Sequence, residues 1–254
     1  MAKIDLNRVW DDAKAMGVAN KDLLAAISGM FVLLPNVIAP QFIKTVEKVP
    51  AGLSQEKLLQ FQLDRYLDNW PVLIATSLVT SFGALAMLVL LLRTERLTVA
   101  ESLKAAIILL PGYFVASIAQ SFGAAVGLML FVLPGVYLLA RLSLIGAVAA
   151  AEHRFNPVEL LSRSVSLTKG NGWRIVLLFA IFIATTGIVW LVVNSIVGAA
   201  AEMLLAKDIA LLVTSIVSGL ISAGFEILSA LLIAAIYRAA TSSSPTPWLP
   251  GAGG

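Results

Sequence analysis

Residues 105–151 read AAIILLPGYFVASIAQSFGAAVGLMLFVLPGVYLLARLSLIGAVAAA, with Arg141 as the one charged side chain. About 20 apolar residues cross the hydrocarbon of a bilayer, so this stretch is too long for a single crossing. It predicts two spans folded as a tight hairpin that turns near Gln120–Ala124. The second of them carries Gly123 and Gly127 at GxxxG spacing, followed by Pro134-Gly135. Such glycines let membrane helices approach closely, and a proline inside a helix bends it. Packing is therefore the expected role of the glycines, and a kink that of Pro134.

Outward from this hairpin the same pattern recurs. Spans are predicted at about 21–43, 71–92, 104–121, 123–149, 173–197 and 209–237, an all-α polytopic bundle forming one membrane domain over 1–240. Of the 254 residues, 59% are hydrophobic and 13% charged. A soluble domain has roughly 45–50% apolar and about 25% charged residues, and this excess exceeds what one globular core conceals. Asp5, Asp11, Asp12 and Asp22 interrupt any signal-peptide pattern, so the first apolar run is expected to stay as a span. The tail, 241–254, is rich in Ser, Pro and Gly and is expected to be disordered.

Between the spans lie short amphipathic segments. Leu6, Val9, Trp10, Ala13 and Met16 repeat with helical spacing, and Asn20 is placed to cap the span that follows. Pro35 and Pro40 mark that span's end. Ser54 is placed to cap a surface helix carrying Leu59, Leu63 and Tyr66 on one side, with Trp70 at interface level before the second span. Thr98 and Glu101 match a capping box. Asn156, Pro157 and Glu159 read as a helix start, and Gly170 as its stop. Glu159, Ser162, Arg163, Ser166 and Lys169 share one arc of that helix and Val158, Leu160, Leu161, Val165 and Leu167 the other, the pattern of a helix in the membrane interface. Trp173 anchors the next span. The similar starts at Leu97–Lys104 and Phe155–Ser162 suggest a repeat of an interfacial helix plus two spans, with the N-terminal helix as a third, degraded copy.

Charge sets an orientation. With six spans, most of the 18 Lys and Arg fall on the side of the two termini, leaving Lys44, Lys48, Lys57, Arg65 and Lys207 opposite. The positive-inside rule then places both termini in the cytoplasm. The net charge of +3 is small and spread, so anionic lipid surfaces are more natural partners than nucleic acid.

The run Leu133-Pro134-Gly135-Val136-Tyr137-Leu138-Leu139-Ala140-Arg141, then Arg163-Ser164-Val165-Ser166-Leu167-Thr168-Lys169-Gly170-Asn171-Gly172-Trp173-Arg174, resembles the bacterial membrane domain of glycerophosphoryl diester phosphodiesterases and the related YciC-like inner-membrane proteins. The resemblance covers about 105–181. It implies a multi-pass protein of the bacterial cytoplasmic membrane. The catalytic barrel fused to this region in some members has no counterpart here, and the single histidine, His153, does not rebuild its metal and acid–base site.

No cysteine is present, and His153 stands beside Glu152 and Arg154 as an interfacial side chain rather than a ligand. No cofactor, metal or catalytic site is expected. The leading expectation is a non-catalytic envelope protein that organises phospholipids, membrane-protein partners or copies of itself. A transporter or lipid translocator is the alternative, although Asn194, Glu226 and Gln120 offer few polar stations; a membrane-embedded enzyme ranks third. Two sites are singled out. Lys169, Gly170, Asn171, Gly172 and Arg174 form an anion-compatible corner for a lipid headgroup, because a helix N-terminus opens there. Glu226, deep in the last span, is expected to pair with Arg141, the alternative being a protonated Glu226 hydrogen-bonded to Asn194 or to a backbone carbonyl, with Arg141 snorkelling to the cytoplasmic interface.

Overall fold

The computed structural model describes residues 4–43, 54–93 and 97–241. Most of the predicted tail therefore lies outside the described residues, as do Lys44, Lys48, Glu95 and Arg96. Every regular element among the described residues is helical. The order is α1 Leu6–Ser28, a π-turn Gly29–Leu33, α2 Leu34–Phe42, α3 Gln55–Leu92, α4 Val99–Leu130, α5 Val132–Leu142, α6 Ile145–Glu152, α7 Pro157–Leu167, α8 Gly172–Leu204 and α9 Lys207–Thr241. Six segments are long and apolar enough to cross a membrane: Leu6–Phe42, α3, α4, Val132–Glu152, α8 and α9. The chain is an all-α bundle of an integral membrane protein.

The central hairpin differs from its prediction. α4 runs unbroken through Gln120–Ala124, and the chain turns at Phe131, whose extended backbone separates Leu130 from Val132. Gly123 and Gly127 thus belong to the third span. A Cβ on Gly127 would lie 2.8 Å from the Cα of Gly135, so this pair lets α4 and α5 touch immediately beyond the turn. Pro134 does not kink its helix. It stands in the first turn of α5, where backbone N–H groups lack intrahelical partners in any case. The break in the fourth span falls instead at Ser143–Leu144, between α5 and α6.

Four other helix ends are instructive. Asn20 leaves helical geometry (φ −121°, ψ 15°) and so marks the boundary between interfacial helix and span. Its amide, however, donates to the Met16 carbonyl at 2.9 Å, closing the preceding helix rather than capping the next. Ser54 caps α3, but α3 continues through Pro71 to Leu92, so the predicted surface helix and second span are one element. The Pro35 ring follows the π-turn, a wide turn suited to a residue without an N–H. The capping box at Thr98 and Glu101 is present, with Thr98 N–H donating to the Glu101 carboxylate at 2.8 Å. Val99–Lys104 continues directly into α4, so α7 is the one separate interfacial element between spans among the described residues, and the repeat is uneven.

Packing is concentrated at one end. Leu85–Leu91, Ile145–Ala150 and, except for Ile233, 230–236 are buried, together with Val9, Met16, Leu160 and Ile175. Toward the opposite end the buried apolar residues are chiefly alanines, such as Ala116, Ala124, Ala201, Ala210 and Ala223. There α8 leaves Ile181, Ile188, Leu191 and Ile196 exposed, and Gly187, Gly198 and Gly224 have no neighbour within 4 Å of an added Cβ. The bundle is tightly closed at the end where α6 meets α7 and loosely packed at the other.

Candidate functional site

The closed end is held by a polar network centred on Glu152, the last residue of α6. Its carboxylate accepts from Arg163 Nε and from Arg154 Nε, both at 2.8 Å, and from the Tyr237 hydroxyl at 3.2 Å. Arg154 reaches on to Glu159 at 3.1 Å. The Glu152 hydrogen bond holds the Arg154 guanidinium above its usual range. His153, in left-handed geometry at φ 52°, places Nδ1 3.3 Å from Arg93 Nη2. Because arginine only donates, Nδ1 is the acceptor in this contact. These links bring the ends of α3, α6, α7 and α9 to one face. Glu152 and Tyr237 were not singled out from sequence, although a carboxylate bordered by Arg154 and followed by an arginine-bearing helix was the available signal.

The two halves of the quoted family-like motif meet beside this network. Arg141 Nη2 donates to the Val165 carbonyl at 2.7 Å, and its guanidinium carbon lies 5.9 Å from the Tyr137 ring centre. Ser164 and Thr168 hydroxyls donate to the Arg141 carbonyl at 2.9 and 3.2 Å, and Leu144 N–H donates to Ser164 Oγ at 3.2 Å. Those bonds satisfy backbone groups freed at the break between α5 and α6. Gly170 has φ +81°, the left-handed geometry that ends α7.

The predicted anion corner is therefore mostly occupied by the protein itself. Asn171 does not cap α8; its Oδ1 accepts from Ile4 N–H at 2.9 Å, while Arg174 Nη1 donates to the Ile4 carbonyl at 2.7 Å. Together they clamp the N-terminal segment to the start of the fifth span. Gly172 seats Tyr137, and Trp173 packs beside that ring at 5.2 Å between centres. Lys169 and Gly170 remain exposed, as does Arg174 in part.

Arg141 and Glu226 are not brought together. The break at Ser143–Leu144 lets α5 lean on α4 and α8, and the carbonyl end of α7 captures the guanidinium. The ion pairs among the described residues all use Glu152 or Glu159. Asn194, the alternative partner, accepts instead from Ser218 of α9. Glu226 is left with protein on nearly every side and no hydrogen bond to a described residue. It lies within electrostatic reach of Tyr113 of α4, whose ring lies over Gly146 in the first turn of α6.

No family model, curated protein or solved structure matches the chain.

Proposed function

We infer that this chain is a non-catalytic protein of the bacterial cytoplasmic membrane, with both termini in the cytoplasm, that organises phospholipids or membrane-protein partners. The observation that carries this reading is the contrast between its two ends. At the closed end the polar side chains largely bind one another, so that end works as a rigid plate. At the other end long apolar faces of α8 and α9 stay uncovered, among them Ile188, Leu191, Ile196, Leu220 and Leu228. In a bilayer such faces take acyl chains or neighbouring helices. Lys169 and Arg174, exposed beside the plate, would meet anionic headgroups of the cytoplasmic leaflet. The likeness of the Tyr137–Arg141 and Arg163–Arg174 motifs to YciC-like proteins supports the same placement.

Extraction in native-lipid particles, with co-purified lipids and proteins identified by mass spectrometry, tests this. A lipid class or a stoichiometric partner enriched over the bulk membrane is expected. A lipid composition equal to the bulk membrane, with no partner, overturns the reading.

Lipid translocation is the second reading, favoured by one observation: the loosely packed half contains a line of polar groups along α9.

A further inference from the structure

The unpaired carboxylate of Glu226 does not stand alone. Ser215, Ser218, Ser222, Glu226 and Ser229 recur along α9 at intervals of three and four, so they form one stripe on that helix. Its flanks are fixed by contacts. On one side Gly219 packs against Leu33 and Val37, and the Ala223 carbonyl accepts from Ser28 Oγ at 2.9 Å. On the other Ser218 meets Asn194 of α8. Between these flanks Glu226 comes within electrostatic reach of Tyr113 of α4.

Hydroxyls in membrane helices commonly return a hydrogen bond to their own backbone, and Ser117, Thr186 and Thr214 do so here. Ser222 and Ser229, the two hydroxyls nearest Glu226 on its face, make no hydrogen bond to a described residue. Both keep some accessible surface, as does Glu226. Three adjacent polar groups thus lack partners at a depth where an unpaired group is costly. Glu226 lies 11 residues from Tyr237, roughly 16 Å along the helix from the closed plate at about 1.5 Å per residue. Directly below it the buried residues Ala230, Leu231, Leu232, Ala234, Ala235 and Ile236 seal the bundle.

We propose that Ser222, Glu226 and Ser229 line a cleft, entered from the loosely packed end, that takes the ammonium-bearing headgroup of a membrane amphiphile with Glu226 as its counter-ion. An ammonium supplies three donors to groups that here can all accept, and it matches the missing positive charge. The exposed apolar surface of α8 beside Asn194, with Leu191 one turn away, gives its acyl chains a place to lie. This deepens the lipid-organising reading and rests on it.

The chain has no cysteine, so single cysteines report on the cleft directly. Ser222→Cys and Ser229→Cys are made separately, and the protein is reconstituted in phosphatidylglycerol vesicles. Reaction rates with a cationic trimethylammonium and an anionic sulfonate methanethiosulfonate are compared, normalised to free cysteine. The expected preference for the cationic reagent is roughly tenfold, the factor that ~1.4 kcal/mol of attraction produces, and it vanishes when Glu226→Gln is added. Dodecylamine slows the reaction and dodecanol does not. Protection by phosphatidylethanolamine added to the vesicles identifies a phospholipid source, whereas protection by dodecylamine alone identifies a free long-chain amine. Cysteines inert to both reagents at both positions, equal normalised rates, or no protection by either amine overturn the proposal. Selective lipid co-purification without amine selectivity removes this site and leaves the lipid-organising reading standing.

Discussion

Tyr137 lies across Gly172, so that a Cβ on the glycine would come within 2.6 Å of the phenol ring. The fourth span and the start of the fifth are thereby fixed at contact distance. Tyr137 also carries the Trp173 ring and the Arg141 guanidinium, so one glycine sets the position of three side chains.

Gly172→Ala is expected to destabilise the protein by about 1–3 kcal/mol, the usual range for overpacking. Tyr137→Leu in the same chain is expected to recover part of that loss, because the clash needs the ring. Thermal unfolding in detergent of both single variants and the double variant measures this. Equal loss from Gly172→Ala in the two backgrounds would show that the ring is not the obstacle.

A second prediction concerns Glu152, whose side chain is 17% exposed. Glu152→Ala strands Arg163 and the Tyr237 hydroxyl together, and a loss of about 1–3 kcal/mol is expected. Tyr237→Phe removes one neutral donor and should cost less, about 1 kcal/mol. Arg154→Ala should cost least, since that guanidinium faces solvent and exposed pairs contribute little. The order of melting temperatures decides: Arg154→Ala falling furthest would place the anchor elsewhere.

Topology follows from the same end. Reporter fusions after Phe155 and Thr241 are expected to read as cytoplasmic, and fusions near Ser54 and Lys207 as the far side. The hydrogen bonds from Ile4 to Asn171 and from Tyr237 to Glu152 require the first two sites to share a face. A far-side signal at Phe155 would refute the orientation.

Hydropathy made six crossings legible, because a span must be apolar over its whole length whatever it packs against. Helix starts were equally legible at Thr98 and Asn156, where local side-chain chemistry decides the geometry. The turn at Phe131 was not. Gln120 and Ser121 look like a break, but a helix long enough to tilt absorbs them, and the turn is set by the meeting of Gly127 and Gly135, residues on different helices. The site failed to show for a similar reason. Asn171 and Arg174 bear the marks of a helix start, and only the folded chain brings Ile4 within their reach. The α9 stripe was visible as serines at three- and four-residue spacing, but serine in a membrane helix commonly serves packing. It gains meaning only when Ser222 and Ser229 turn out to have no bond of their own.

The final prediction tests the separation of the two intramembrane charges. Arg141 is held by the Val165 carbonyl, and Glu226 lies toward Tyr113. Residues without contact or shared partners change stability additively, within about 0.3–0.5 kcal/mol. The variants Arg141→Met and Glu226→Gln, combined, should therefore sum in thermal stability measured in detergent. Arg141→Met should itself destabilise, since it removes the shorter of two side-chain hydrogen bonds to the Val165 carbonyl and the cation from the Tyr137 face. Glu226→Gln should be close to neutral or stabilising, because it discharges a carboxylate that has no cation beside it. A coupling above ~1 kcal/mol, or a marked loss of stability from Glu226→Gln alone, would mean that the carboxylate has a structural partner, and Arg141 would then be the first to examine.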